Sequence, residues 1–228
     1  MFGLDLYCSM IARIRDKGFK FKKFLDQADT KSVYLRHDVD FSAHQARELA
    51  KCESNIGVVS TYFFMLSSNT YNALSSESIA IIKDIKDMGH DISLHFDPLV
   101  YDDLDWGFNF ERDLFQSVFD VELNIVSIHR PGEFLNNNNR KLQDCRHTYE
   151  DEFFNDMDYL SDSGGRDVNV KIKSLLDESS CSSIHLLTHP IWWASKLKTP
   201  TATIEKWLEK QSMFMREEAR RNCKTFKN

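Results

Sequence analysis

The stretch that decides the fold is Tyr-Leu-Arg-His-Asp-Val-Asp, residues 34–40. It closes an apolar run that predicts a strand over Ser32–Val39. Successive side chains of a strand point to opposite faces, so Asp38 and Asp40 share one face and Val39 takes the other. Two carboxylates held side by side repel, and one of them must take a proton, a cation or a metal ion. Such a pair is costly for a fold and useful in a functional site.

Composition favours one compact domain over residues 1–228. Gly (8) and Pro (4) are few among the 228 residues, and no segment resembles a linker. Hydrophobic residues make up 42% of the chain and include 17 Phe, which is enough for a substantial core. The net charge is −6 and no basic face stands out, so we expect no nucleic-acid partner.

Location is also predicted from composition. Residues 1–10 contain Asp5 and no basic segment, so we expect no secretory leader. No apolar run approaches the length of a membrane span, and we expect a cytoplasmic protein. The five cysteines are scattered and form no C-x-x-C pair, which indicates reduced thiols. They are Cys8, Cys52, Cys145, Cys181 and Cys223.

Strand-like and helix-like segments alternate along the chain. The predicted strands are Ser32–Val39, Gly57–Met65, Asp91–Phe96, Asn124–His129, Asp158–Ser161 and Ser183–Thr188. The predicted helices are Ser42 to Ser54, Ser75 or Ser76 to Gly89, Trp106–Val121 and Ile204–Phe226. This βαβα order predicts an α/β fold with a mostly parallel sheet, either open and doubly wound or a (β/α) barrel.

Polar residues at five predicted strand ends favour the barrel, whose chemistry gathers at the carboxyl ends of its strands. These residues are Asp38 and Asp40, His95 and Asp97, His129 and Arg130, Asp162, and His189.

His95 and Asp97 form the second notable feature, because they share a face at the end of one predicted strand. A lone histidine is more often structural than a ligand. A histidine beside a carboxylate, opposite another carboxylate pair, is a better metal candidate, and zinc readily takes nitrogen and oxygen ligands. We do not expect His44, His90, His147 or His185 to be ligands.

Three further features could carry chemistry. Arg130 could hold a carboxylate in its charged form, or it could be a surface residue in a turn. His189 ends an apolar strand and titrates near neutral pH, which suits a general acid. Trp192 and Trp193 could line a sugar-binding floor, or they could pack in the core.

The order of these motifs resembles the polysaccharide deacetylase family with the NodB homology fold, carbohydrate esterase family 4. In more detail the chain is similar to the deacetylase-like proteins of bacterial surface-polysaccharide gene clusters. The segments that carry the resemblance are Leu35–Asp40, Leu94–Asp97, Ser127–Pro131, Tyr159–Gly164 and Leu187–Trp193. Together they span most of the chain.

The resemblance implies a distorted (β/α) barrel with one divalent metal ion, usually zinc. By position, Asp40 matches the metal-binding aspartate and His95 the first histidine of the second metal motif. The family has another histidine four residues further on, where this chain has Leu99. The third ligand therefore stays open between Asp97, which shares a face with His95, and His129, which would complete a set of two histidines and one carboxylate.

The resemblance also implies catalytic roles. Asp38 matches the catalytic base, and Arg130 matches the arginine that orients it. Asp162 matches the later aspartate that pairs with that arginine, and His189 matches the catalytic acid.

The function implied is metal-dependent removal of an N- or O-acyl group, expected to be acetyl, from a sugar or glycan precursor in surface-polysaccharide synthesis. Two alternatives stay open. The same fold could hydrolyse another C–N bond, in a small amide or a cyclic ureide. It could also bind a glycan or a biosynthetic partner without catalysis, having lost the full metal site.

Overall fold

The computed structural model describes residues 2–27, 29–136, 141–177 and 183–226. In these residues eight parallel strands form one sheet, with the order β6-β5-β4-β3-β2-β8-β7 and with β1 paired to β2. The strands are β1 (Lys20–Lys22), β2 (Ser32–Val39), β3 (Thr61–Phe64), β4 (Asp91–Phe96), β5 (Ile125–Ile128), β6 (Arg146–His147), β7 (Asp158–Ser161) and β8 (Ser183–Thr188).

Helices connect the strands. They are α1 (Leu4–Asp16), α2 (Ala43–Asn55), α3 (Ser76–Asp87), α4 (Leu104–Phe119), α5 (Gly132–Asn136), α6 (Asp151–Phe154), α7 (Asn169–Asp177), α8 (Pro190–Trp193) and α9 (Pro200–Asn222). A short 3₁₀ helix spans Pro98–Val100. No helix in the described part of the chain is long and apolar enough to cross a membrane.

The sheet is curled into a half-barrel, which confirms the predicted α/β class. Tyr34 of β2, Phe63 of β3 and Ile125 of β5 pack in one cluster with Phe24 and Phe153, here called the inner cluster. Strands β2 and β5 lie three places apart in the sheet, so their side chains can meet only if the sheet bends toward that face. The parallel strands bring their carboxyl ends to one rim, above the inner cluster.

The residues of β2 that point into the half-barrel alternate with those that face the helices. Tyr34 belongs to the inner cluster, whereas Val33 and Leu35 belong to the large core on the helix side. Asp38 is in register with Phe63, and it therefore points inward, as the alternation predicts.

Several predicted elements match closely. Strands β2, β4, β7 and β8 have the predicted bounds, and the side chain of Ser75 caps α3 by accepting the N–H of Ser78. The predicted strand Gly57–Met65 is shorter, since only Thr61–Phe64 pairs with its neighbours.

One expectation about cysteine is wrong. Cys8 of α1 and Cys52 of α2 form a disulfide with a Cα–Cα distance of 6.3 Å. The helices lie side by side on the outer face of the sheet, so residues far apart in sequence meet there. Cys145 is free and buried, Cys223 is free and exposed, and Cys181 lies outside the described residues.

Candidate metal centre

Asp40, His95 and His129 converge at the rim of the half-barrel. Each offers one ligand atom, and these atoms all lie within 4.8 Å of one another. They come from the carboxyl ends of β2, β4 and β5, which are well separated along the chain but share one rim. This is the only such cluster within the described ranges.

The surroundings of the three side chains fit a metal ion. Nδ1 of His95 lies 2.6 Å from the hydroxyl of Ser127, and Nδ1 of His129 lies 2.8 Å from a carboxylate oxygen of Asp97. Outer partners of this kind orient a ligating imidazole and leave Nε2 to face the ion. Oδ1 of Asp40 is buried without a hydrogen-bond partner among the described residues, 3.3 Å from Nε2 of His95. A buried carboxylate oxygen without a donor is costly unless a cation satisfies it.

The structure places His129 in this cluster and Asp97 behind it. One oxygen of Asp97 accepts the N–H of Leu99 at 3.0 Å, and the other faces His129. Both oxygens are therefore engaged away from Asp40 and His95. Leu99 itself is exposed.

Asp38 is held by Arg36, not by Arg130. Nε of Arg36 donates to one oxygen of Asp38 at 2.8 Å, and Nη2 donates to the other at 2.6 Å. The structure does not pair Arg130 with Asp38 as expected, because Arg130 is exposed and lies in a turn with φ of 48°. The alternative reading of Arg130 as a surface residue fits this position.

The Arg36–Asp38 pair is fully enclosed. The guanidinium lies over the ring of Tyr149 at 4.7 Å and also donates to its hydroxyl at 3.3 Å. Burial acts to raise the pKa of Asp38, but the charge of Arg36 prevails and holds that pKa well below its usual value. Asp38 is therefore ionised, and Nε2 of His95 lies 3.7 Å from it. The signal that could have found Arg36 is its position two residues before Asp38, on the same face of the strand.

His189 is held by Asp162. Nδ1 of His189 lies 2.6 Å from Oδ1 of Asp162, whose oxygens also accept the backbone N–H of His189. Burial acts to lower the pKa of His189, but the charge of Asp162 prevails and raises it to about 9. The expected pairing of Asp162 with an arginine is thus replaced by a pairing with histidine. Nε2 of His189 points toward the cluster, 3.8 Å from Asp40.

The two tryptophans are part of the core, which corrects their prediction as a sugar-binding floor. Trp193 is completely buried, and its indole N–H donates to Oδ2 of Asp162 at 2.6 Å. Its ring packs edge-on against Phe2 at 5.0 Å. Trp192 is also buried. Trp193 therefore acts on the site indirectly, by fixing the carboxylate that holds His189.

A buried polar network behind β2 was not predicted. Glu53 of α2 lies 2.8 Å from Nε2 of His37, and it accepts hydrogen bonds from Ser60 at 2.7 Å, from Tyr62 at 2.9 Å and from Tyr7. All five side chains are fully buried. Burial acts to raise the pKa of Glu53, but His37 prevails and lowers it. The network fixes the outer face of the strand that carries Asp38 and Asp40.

Comparisons with known proteins find similarity to solved structures alone. Neither a protein-family model nor a curated protein matches the chain. Among solved structures, the chain is similar to wild-type BA3943 of Bacillus anthracis, described as a CE4 family pseudoenzyme, at 12% identity and a TM-score of 0.46. The similarity covers 81% of this chain and 63% of that one, less than two thirds of its length. The fold and site define the class of this protein, a parallel α/β half-barrel with a candidate Asp-His-His metal centre.

Proposed function

We propose that the chain is a metal-dependent hydrolase that removes an acyl group, in the first place acetyl, from a sugar or glycan precursor in surface-polysaccharide synthesis. The observation that carries the proposal is the position of two oppositely charged groups beside the Asp40-His95-His129 cluster. Asp38, held ionised by Arg36, lies 3.7 Å from His95, and His189, held by Asp162, lies 3.8 Å from Asp40. Hydrolysis of an amide or ester requires one group that accepts a proton and another that donates one. The carboxylate of Asp38 and the imidazolium of His189 can fill these two roles.

The residues of the site have separate roles in the proposed hydrolysis. Asp40, His95 and His129 would hold one divalent ion, and two nitrogens with one oxygen suit zinc. When bound, such an ion supplies Lewis-acid polarisation of the acyl carbonyl. Asp38 accepts the proton of the attacking water as the water's oxygen bonds to the acyl carbon. The C–N or C–O bond then breaks, the acid is released, and Nε2 of His189 gives its proton to the leaving amine or hydroxyl.

Asp162 and Trp193 determine the protonation and orientation of His189, the proposed proton donor. The carboxylate of Asp162 accepts from Nδ1 of His189, so the remaining proton of the imidazolium is carried on Nε2, toward the cluster. The indole of Trp193 fixes the second oxygen of Asp162. This chain of contacts keeps His189 charged and oriented at neutral pH.

The proposal is tested by metal analysis and by release of acetate from N-acetyl sugars and sugar nucleotides. We expect one zinc per chain and zinc-dependent acetate release, which falls about 10²–10⁴-fold in Asp38→Asn and His189→Ala. Exposed His44→Ala is the matched control and should retain activity. Failure to bind any divalent ion after loading would contradict the proposal and favour a binding protein. Bound zinc with hydrolysis only of small amides or cyclic ureides would favour the other C–N hydrolase.

A further inference from the structure

The last helix, α9, is long but contributes little to the core. The structure describes all 23 of its residues, and Thr203 is the only buried one. The ring of Trp207 packs edge-on against that of Phe41 at 5.1 Å, which attaches the inward side of the helix to the domain. On the same side, the amide of Gln211 donates to the carbonyl oxygen of Thr70 at 3.4 Å. Because helices in water gain most of their stability from packing, the free outward side of α9 invites a further contact.

An apolar stripe runs along this outward side. Leu208 and Met215 are 53% and 63% exposed. The small side chains of Ser212 and Ala219 leave room for larger side chains of a facing helix. Spacings of four, three and four residues place the four on one side of α9, in the pattern of a helix–helix seam. We call Leu208, Ser212, Met215 and Ala219 the α9 stripe.

Charged residues beside the α9 stripe are arranged by sign. Glu205 and Glu209 lie in the amino-terminal half of α9, whereas Arg216 and Arg220 lie in its carboxyl-terminal half. Spacings of four, seven and four residues place all four on the same edge of the stripe. One half of this edge is therefore acidic and the other basic, so the edge is complementary to a second copy of itself that runs in the opposite direction.

The spacing also fixes which charges would meet. In an antiparallel pair, the register that brings Glu209 of one copy to Arg216 of the other brings Glu205 to Arg220 as well. A two-fold axis makes each contact twice, whereas a parallel pair would face like charges. Glu205 and Arg216 make no ion pair among the described residues. Glu209 contacts Lys206 at 2.7 Å, but its side chain is 63% exposed and remains accessible to a second helix.

We propose that α9 pairs with α9 of a second copy of this chain in an antiparallel, two-fold symmetric dimer. The α9 stripe forms the seam, and the acidic and basic halves of the charged edge set its direction. An anionic membrane surface would attract the two arginines of that edge but repel the two glutamates, so the edge fits a second copy better than a lipid surface. A two-fold contact of this kind is closed, because each copy offers the other the same surface.

The test is the mass of the full chain in solution, measured by sedimentation equilibrium. We expect a mass of two chains for the wild type. Glu209→Arg and Arg216→Glu should each raise the dissociation constant at least about tenfold, because each reversal places like charges together at two symmetric positions. Both variants exchange strong helix formers on an exposed surface, so the fold should be retained.

An equimolar mixture of these two variants is the sharpest test. At positions 209 and 216, one variant carries only bases and the other only acids, so the two should associate with each other although each associates poorly with itself. Lys173→Glu, which reverses an exposed charge of α7, is the control and should leave the wild-type dissociation constant unchanged.

A second pair of variants tests the α9 stripe. Met215→Gln replaces an exposed apolar side chain by a polar one of similar length, and it should weaken the dimer at least about tenfold. Met213→Gln is the matched control. Met213 is 70% exposed, but it lies two residues earlier and so on the opposite side of the helix, where the dimer would not touch it.

Several results would overturn the inference. A wild-type mass of one chain at millimolar concentration would exclude the dimer. A dimer that neither Arg216→Glu nor Met215→Gln weakens would lie on another surface. Failure of the two charge variants to associate when mixed would contradict the antiparallel pairing. Binding of a monomeric wild type to phosphatidylglycerol vesicles, abolished in Met215→Gln, would assign the stripe to a membrane surface instead.

Discussion

Arg36 is the residue on which the charge of the site depends. Its guanidinium and the carboxylate of Asp38 are both buried and are joined by two hydrogen bonds. Removing one member of a buried ion pair leaves the other charge without compensation, which costs about 3–5 kcal/mol. We therefore expect Arg36→Met to lower the free energy of unfolding by about that amount in urea denaturation at neutral pH.

Arg130→Met is the matched control, since this arginine is exposed and Asp38 already has its partner. A surface substitution of this kind changes stability by no more than about 0.5 kcal/mol. Equal losses in the two variants, or a larger loss in Arg130→Met, would show that the pairing is misassigned.

A substitution of Asp97 tests the metal centre without replacing any member of the Asp40-His95-His129 cluster. Its carboxylate accepts from His129, and loss of such an outer partner lowers metal affinity about 10–100-fold. We expect this loss in Asp97→Ala, measured by competition with a zinc chelator. Leu99→Ala, at the exposed position where the resembled family has a histidine, should bind zinc as the wild type does. If Asp97→Ala kept full affinity, Asp97 would not orient His129.

At the level of elements, the packing of α4 against the 3₁₀ segment depends on one glycine. A Cβ atom on Gly107 would lie 2.2 Å from Cγ of Tyr101, so the aromatic ring would have to move. Tyr101 donates to buried Glu111 at 2.7 Å, and that hydrogen bond would be lost. Overpacking of this kind costs about 1–3 kcal/mol.

We expect Gly107→Ala to lower the unfolding free energy by about 1–3 kcal/mol, measured by urea denaturation. Gly132→Ala in α5 is the control, because a Cβ there would meet nothing within 4 Å and its φ is not positive. Alanine is also the better helix former, so this variant should be neutral or slightly more stable. A stability of Gly107→Ala equal to that of Gly132→Ala would rule out the close approach.

At the scale of the whole molecule, His185 couples folding to pH. It lies inside the half-barrel, with its ring 5.2 Å from that of Phe24 and Nδ1 2.9 Å from the carbonyl oxygen of Phe153. Burial, reinforced by the charge of Arg36, lowers the pKa of His185 to about 3. In the unfolded chain the pKa is about 6.5. The unfolded state therefore binds a proton that the folded state excludes, and stability falls as pH drops from about 6.5 toward about 3.

We expect His185→Gln, which keeps a donor for Phe153, to flatten the dependence of unfolding free energy on pH in that range. The measurement is urea denaturation at a series of pH values, with exposed His44→Gln as the control. A pH dependence of His185→Gln as steep as that of wild type would show that other groups control acid unfolding.

Much of the fold could be predicted from the sequence because its signals are local. The apolar runs in the sequence predict β2, β4, β7 and β8 with the same bounds that the structure shows, and Ser75 marks the start of α3. Alternation along a strand also placed Asp38 and Asp40 on one face. These features depend on neighbouring residues, whose geometry the backbone itself restricts.

The pairs of side chains that contact each other in the folded protein could not be predicted in the same way. The resemblance pointed to Arg130 as the partner of Asp38, and only the enclosed position of Arg36 against Tyr149 shows that Arg36 holds it. The sequence alone does not show that Trp193 is buried, so a sugar contact was a reasonable prediction. The burial of Trp193 depends on Phe2, which precedes α1, and on Asp162, which follows β7, and both are distant from it along the chain.

What the sequence by itself determined is the alternation of strands and helices, the shared face of the two aspartates and the strand ends that carry titratable groups. Only the tertiary structure decided between His129 and Asp97. That choice depends on the register that places β5 beside β4, which brings Ser127 next to His95 and His129 next to Asp97. The physical reason is that register between strands about thirty residues apart is set by packing of the whole sheet, whereas strand and helix patterns are set by neighbours along the chain.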